Sequence, residues 1–184
     1  MVLTQTPELS RLALALHDHG HAYEPGVPRN LDTQLLPGFN FRMSELQAAV
    51  GLAQLRKLPE MLRDNSARVE SLSQGLDGRF QVRSRIPRSR PNDDTVILTG
   101  LSDKEVHESI RVLGLYGLGT KNVPDALRWH FAGFWSHFLD QTEREALAPT
   151  GRFLASSVAV PILLSKSEDL YHEMGSKFRS IGRP

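Results

Sequence analysis

Strands and helices alternate from residue 80 onward, and that alternation predicts an α/β or α+β chain. Two further observations shape the expectation. A β-branched run, Thr95-Val-Ile-Leu-Thr99, reads as a buried strand. Apolar and small residues at helical spacing fill 44–77, which reads as long bridging helices ahead of a small, sandwich-like domain at 78–184. Residues 1–43 read as part of something larger.

In order, Val2–Gln5 reads as a short strand. Thr6-Pro7-Glu8 opens a helix, with Thr6 as cap, Pro7 at the first helical position and Glu8 at the positive end of the dipole. Leu9, Leu12, Ala13 and Leu16 recur at helical spacing, and Gly20 is the expected stop. Residues 21–43 contain three prolines, two glycines and two asparagines without periodicity, and a loop that long in a compact domain is commonly functional or disordered. Ser44-Glu-Leu-Gln47 is a capping box, followed by a helix to about Leu58. Pro59 is expected to kink or restart it, and Met61, Leu62, Val69, Leu72 and Leu76 carry the stripe on to Gly78.

Phe80–Arg83 alternates like a strand, and Thr95–Thr99 is the next one. Ser102 starts a helix with Val106, Ile110 and Leu113 facing inward and Gly114 ending it. Leu115–Leu118 reads as a short strand. Residues 120–140 are aromatic-rich, with short helical pieces around Trp129–His137. Glu143–Leu154 reads as one helix and Ser156–Val160 as a strand stopped by Pro161. Ser165–Ile181 reads as a terminal helix capped by Ser165, with Leu170, Met174 and Phe178 on one face.

Composition narrows the function classes. With 22 basic and 21 acidic residues the net charge is +1, which gives no support for a nucleic-acid or membrane-surface protein. There are no cysteines, so thiolate metal sites and disulfides are excluded, and a reducing, cytoplasmic setting is expected. No apolar run approaches the ~20 residues of a membrane helix, and the first residues lack a secretory pattern.

The stretch Gly38-Phe-Asn40-Phe-Arg42-Met-Ser44-Glu-Leu-Gln47-Ala-Ala-Val-Gly51-Leu-Ala-Gln-Leu55 resembles the signature of the DegT/DnrJ/EryC1/StrS sugar aminotransferases over eighteen consecutive positions. The preceding Met1–Thr4, Pro7–His17 and Asp18-His19-Gly20 are similar to the same family. Gly119-Thr-Lys121-Asn122-Val-Pro-Asp-Ala-Leu-Arg-Trp129-His130-Phe-Ala-Gly-Phe-Trp135, with Asp94-Thr95, looks like enzymes that aminate an eight-carbon sugar acid, the 8-amino octulosonate branch of lipopolysaccharide sugar biosynthesis.

This resemblance implies the type I fold of enzymes dependent on pyridoxal phosphate. On that basis 78–184 is the C-terminal small domain, 44–77 the bridging helices, and 1–43 a remnant of the large cofactor domain with an interface loop. The implied enzyme is a homodimer with sites at the interface, taking an amino group, usually from glutamate, to an oxo-sugar. The implied cofactor lysine, the acid paired with the pyridine nitrogen and the stacking aromatic would all precede the first residues here. The lysines present are Lys57, Lys104, Lys121, Lys166 and Lys177, and none matches the family's position. The chain is therefore expected to be inactive alone, with no catalytic residue of its own. Three settings fit that expectation: a fragment of the enzyme, a half-enzyme completed by an N-terminal polypeptide, or a non-catalytic sugar-binding module.

By the same resemblance Asn40 reaches across the dimer to the cofactor phosphate, and Arg42 adds charge or fixes the loop; Asn40 as a simple turn residue is the competing reading. Lys121, Asn122, Trp129 and His130 form the candidate sugar site, with Lys121 facing a carboxylate and a ring stacking on the sugar; aromatic packing explains them equally. His17, His19 and His21 suggest metal ligands only from an extended segment, and at a helix end they instead complement the dipole. Arg79, Arg83, Arg85, Arg88 and Arg90 could meet an anionic sugar acid or a nucleic acid, but a solvated edge strand and loop explains them as well, and the lack of interleaved aromatics beyond Phe80 weakens the nucleic-acid version. The small residues Ala48–Ala53 suggest close helix contact, between subunits or in the core.

Overall fold

A computed structural model describes residues 2–182. The chain divides into two compact units, Met1–Arg56 and Lys57–Pro184, and the division falls inside one helix.

In the first unit, α1 spans Pro7–His17, with Pro7 and Glu8 in its first turn as the sequence implies. Thr6 occupies the cap position without capping through its side chain; its own amide instead donates to Thr4 Oγ1 at 3.1 Å. Val2–Gln5 is not a strand, because its backbone finds no ladder partner among the described residues. Leu9 and Leu16 stay exposed, and Ala15 is the buried residue of α1. The long 21–43 segment is not featureless. It contains a 3-10 turn at Arg29–Leu31 and two isolated antiparallel bridges, Asp18 to Asn40 and His21 to Gln34.

Helix α2, Glu45–Leu76, begins with the expected capping box: the Gln47 amide donates to Ser44 Oγ at 3.3 Å and the Ser44 amide to Gln47 Oε1 at 2.8 Å. It runs unbroken through Pro59, so the expected restart is absent. Tertiary packing of its second half, where Leu72 and Leu76 are buried, outweighs one missing hydrogen bond.

The second unit is built on an antiparallel three-stranded sheet in the order β1 (Gln81–Val82), β2 (Thr95–Thr99), β3 (Val158–Pro161). It is one sheet covered by helices rather than a sandwich. Helix α3, Asp103–Leu115, carries a full capping box from Ser102 and Glu105. Leu115–Leu118 forms its exit turn, not a strand: Gly117 takes φ +68° and the Leu118 amide returns to Leu113 O at 3.0 Å. The aromatic segment holds α4 (Leu127–His130) and a 3-10 turn at Ala132–Phe134. The helix expected at 143–154 is two, α5 (Gln141–Ala146) and α6 (Ala148–Ala155), split where Pro149 requires a fresh first turn. Helix α7, Glu168–Arg179, is capped by Ser167 rather than Ser165, and Met174 and Phe178 are fully buried.

These elements enclose a single cluster: Leu72 and Leu76 of α2, Val96 and Leu98 of β2, Val158 and Val160 of β3, Leu113 of α3, and Tyr171, Met174 and Phe178 of α7. Helices α2 and α7 meet backbone to backbone. A Cβ on Gly75 would lie 2.9 Å from Gly175 Cα, and one on Gly175 would lie 2.5 Å from Leu72 O. No described helix is long and apolar enough to cross a membrane.

Candidate functional site

The first candidate site grows from the end of α1. Gly20, at φ +87°, closes the helix by donating to Ala15 O at 2.7 Å. The chain then pairs with the start of the signature stretch. The His19 amide donates to Phe39 O and the Phe41 amide to His17 O, both at 2.9 Å. Gly38 is required there, since a Cβ would sit 2.7 Å from the His19 carbonyl carbon and 2.9 Å from Ala15 O. This pairing sets Asn40 opposite Asp18.

Asp18 is the centre of the arrangement. Its side chain is 1% exposed and meets the Tyr23 hydroxyl, the Arg29 guanidinium and, at 3.2 Å, Arg42 Nε. The hydrogen bond from Tyr23 is the main force holding the Asp18 carboxyl below the usual carboxylate range, and the charges of Arg29 and Arg42 add to it against the effect of burial. The same bond pushes the Tyr23 phenol up. Asn40 and Arg42 are exposed neighbours of this hub. Asn40 Oδ1 accepts from the Arg42 amide at 3.3 Å and from Arg42 Nε at 3.1 Å. With its oxygen so engaged, the exposed Asn40 amide presents its NH₂ as the free donor face.

The His19 and His21 rings meet edge-on with centroids 6.5 Å apart. His21 faces Asp32 at 3.4 Å, and no group of metal-binding side chains occurs among the described residues. Burial pulls the Asp32 carboxyl upward, but amides of Tyr23 and Glu24 outweigh it, so its pKa also lies below the usual value.

The second candidate site belongs to the second unit. Lys121–Val123 is tied to β3: the Lys121 amide donates to Ala159 O and the Ala159 amide to Val123 O, both at 3.0 Å. The Lys121 ammonium pairs with Asp94, whose carboxyl it holds below the usual range. Asn122 adopts φ +76°, and its carbonyl accepts from the Ala126 amide at 2.8 Å just ahead of α4. Trp129 and His130 lie on α4 and are exposed, Trp129 at 76%. A concavity of about 330 Å³ includes Trp129 but is otherwise lined by Arg128, Phe134, Trp135 and His137. Of the arginine run, Arg79 pairs with Glu105 at 2.8 Å and lies over the Phe80 ring, Arg85 pairs with Asp93 at 2.9 Å, and Arg83, Arg88 and Arg90 are exposed. Ala48–Ala53 is exposed along α2.

Sequence reasoning placed Asn40 and Arg42 together but missed Asp18, Tyr23 and Arg29. One signal was available, since an aspartate at a helix C-terminus opposes the dipole and needs cationic partners. Arg128, Trp135 and His137 were missed because no short pattern marks a pocket closed by a 3-10 turn.

The DegT/DnrJ/EryC1/StrS aminotransferase family model matches residues 1–111, which include the whole Asp18–Arg42 arrangement. A structure assigned as a sugar aminotransferase, Spr1654 of Streptococcus pneumoniae in its PMP form, is similar with a TM-score of 0.69 at 18% identity, covering 97% of this chain and 46% of that one. A 3-amino-5-hydroxybenzoic acid synthase is similar with a TM-score of 0.71 at 21% identity, covering 98% and 48%. The aminotransferase TlmJ of Streptoalloteichus hindustanus is similar with a TM-score of 0.64 at 20% identity, covering 94% and 44%. The chain thus spans somewhat under half the length of these solved structures and shares their α/β fold over that span. By the family match over more than half of its length, the chain belongs to the DegT/DnrJ/EryC1/StrS aminotransferase family.

Proposed function

We propose that this chain is the small-domain part of a pyridoxal-phosphate-dependent aminotransferase, acting on an oxo-sugar or sugar acid with glutamate as the amino donor. In this reading residues 78–184 are the small domain, 44–77 the bridging helix, and 1–43 the portion that borders the cofactor. The observation that carries it is the fixed Asn40–Arg42 turn. Asn40 offers an outward amide donor and Arg42 a half-exposed guanidinium; the buried Asp18 carboxylate pairs with Arg42, which in turn donates to Asn40. A neutral NH₂ beside a planar cation suits the oxygens of a phosphate.

The donor set therefore fits the phosphate end of the cofactor and offers no lysine for its aldehyde end. Bound there, pyridoxal phosphate supplies an electron sink that lets an amino group pass between an amino acid and a carbonyl carbon. Asn40 and Arg42 bind and orient the phosphate. Asp18 orients them. None of the lysines of this chain lies beside Asn40 and Arg42, so in this reading the lysine that meets the aldehyde end lies outside residues 1–184. Lys121, Asn122, Trp129 and His130 form the sugar-facing side, and their likeness to the eight-carbon sugar acid branch supports a sugar acid as acceptor.

A partner is part of this reading. Phe39, Phe41, Met43, Leu46, Val50, Leu52 and Leu55 are all more than half exposed. Apolar exposure on that scale marks a contact surface, and a second subunit or a complementing lysine-bearing portion suits it. A cytoplasmic setting accords with the sugar biosynthetic role.

Absorption spectroscopy tests the proposal. The purified chain incubated with pyridoxal phosphate and dialysed is expected to keep no cofactor band, and to keep one only when a lysine-bearing family portion is added. Asn40→Ala should then weaken cofactor retention about tenfold. A stoichiometric band on the chain alone, or full retention by the alanine variant, overturns the reading.

A further inference from the structure

We infer that the concavity lined by Arg128, Trp129, Phe134, Trp135 and His137 is a subsite for a single carboxylated sugar ring, with Arg128 as the carboxylate partner. The inference deepens the sugar-facing reading of the second unit and rests on it. It moves the acid-recognising role away from Lys121, because that ammonium is already paired with Asp94.

The pocket is built rather than incidental. The lining residue Phe134 is held from behind the lining by Phe131, whose ring meets it edge-on with centroids 6.0 Å apart. The same ring packs against two glycines, and a Cβ on Gly151 would already approach it to 3.0 Å. The Trp135 indole is anchored by donating Nε1–H to Trp129 O at 3.0 Å. Its ring lies 6.4 Å from that of His137, tilted by 38°. An indole held by its only polar atom presents a fixed apolar face, the surface that packs on the C–H face of a pyranose.

The polar groups are as selective as the rings. The lining includes no acid, and among the described residues Arg128 has no carboxylate partner. A guanidinium without a partner beside aromatic faces is suited to a planar carboxylate through two parallel N–H donors. His137 adds a ring donor for a hydroxyl. At about 330 Å³ the space is at the small end of ligand sites, which favours one ring over a nucleotide-linked sugar. Among the lining residues Trp129 at 76% and Phe134 at 54% exposure leave aromatic surface open.

The protein's two tryptophans both line this pocket, so its intrinsic tryptophan emission reports on the site alone. Titration of the purified chain at constant ionic strength with D-glucuronate, D-glucose and propionate tests the inference. D-glucuronate is expected to change the emission saturably, with glucose and propionate at least tenfold weaker. Arg128→Gln should weaken glucuronate at least tenfold while leaving the circular dichroism and melting temperature unchanged, since Arg128 is exposed and unpaired. Arg63→Gln, at an exposed α2 arginine outside the lining, should leave glucuronate binding within about threefold. Absence of saturation by glucuronate, equal binding of glucose, or an Arg128→Gln variant that binds like the parent each overturns the inference. No cofactor enters this measurement, so its failure leaves the phosphate-edge reading standing, and failure of the cofactor experiment leaves this one standing.

Discussion

The Asp18 carboxylate lies 3.2 Å from Arg42 Nε, and the same Nε donates to Asn40 Oδ1 at 3.1 Å. One buried acid at the end of α1 thereby orients both residues of the proposed phosphate edge.

Asp18→Asn should loosen that edge. The amide keeps the size but loses the charge that draws Arg29 and Arg42 together. Amide hydrogen exchange at His19 and Phe41 is expected to accelerate about tenfold or more, because hydrogen bonds to charged groups are the strong ones. Unchanged exchange at both positions would refute the hub role.

The same carboxylate predicts an acid transition local to the first unit. Its folded pKa lies below the ordinary value, so folding favours the ionised form. That contribution is complete above the unfolded pKa of about 3.9 and disappears as pH falls through the lower folded value. Exchange protection at His19 and Phe41 should therefore hold at neutral pH and decline only in strong acid. In Asp18→Asn the acid dependence from this group should vanish; a decline centred near neutral pH would contradict the assignment.

Helices α2 and α7 predict a different sensitivity. Gly175→Ala forces a methyl group to within 2.5 Å of the Leu72 carbonyl oxygen, so the helices must separate. Overpacking of this kind costs about 1–3 kcal/mol, although alanine is the better helix former. Urea denaturation should show a lower midpoint; a stabilised variant would show that the contact is slack.

Tyr171 is fully buried, and burial raises its phenol pKa. Its hydroxyl donates to Pro161 O at 3.0 Å and accepts from the Leu163 amide at 2.7 Å, fastening the exit of β3. Tyr171→Phe leaves both backbone groups without that partner and should cost about 1–3 kcal/mol. Thermal unfolding measures it, and a loss near zero would indicate that water replaces the hydroxyl.

Much of the fold is legible locally. The β-branched run became β2 over the same residues, Thr95–Thr99, and Pro7–His17 became α1, because each signal lies within its own segment. The errors arise where neighbours decide. Val2–Gln5 has strand composition but no described ladder, and α2 passes Pro59 because its distal turns are packed. The proposed phosphate edge was half legible: Asn40 and Arg42 are two positions apart in sequence, whereas Asp18, Tyr23 and Arg29 reach them only after the chain doubles back. The aromatic concavity was less so, since Arg128 and Trp135 acquire meaning from a short 3-10 turn that no periodicity announces.

The two hydrogen bonds joining Lys121 and Val123 to Ala159 give the loop proposed to face the sugar a second duty. Occupying the outer rim of β3, the loop denies that rim to any strand from another molecule. Excising it to abolish ligand capture would uncover a hydrophobic seam, and the shortened protein should precipitate rather than persist as an inert globule.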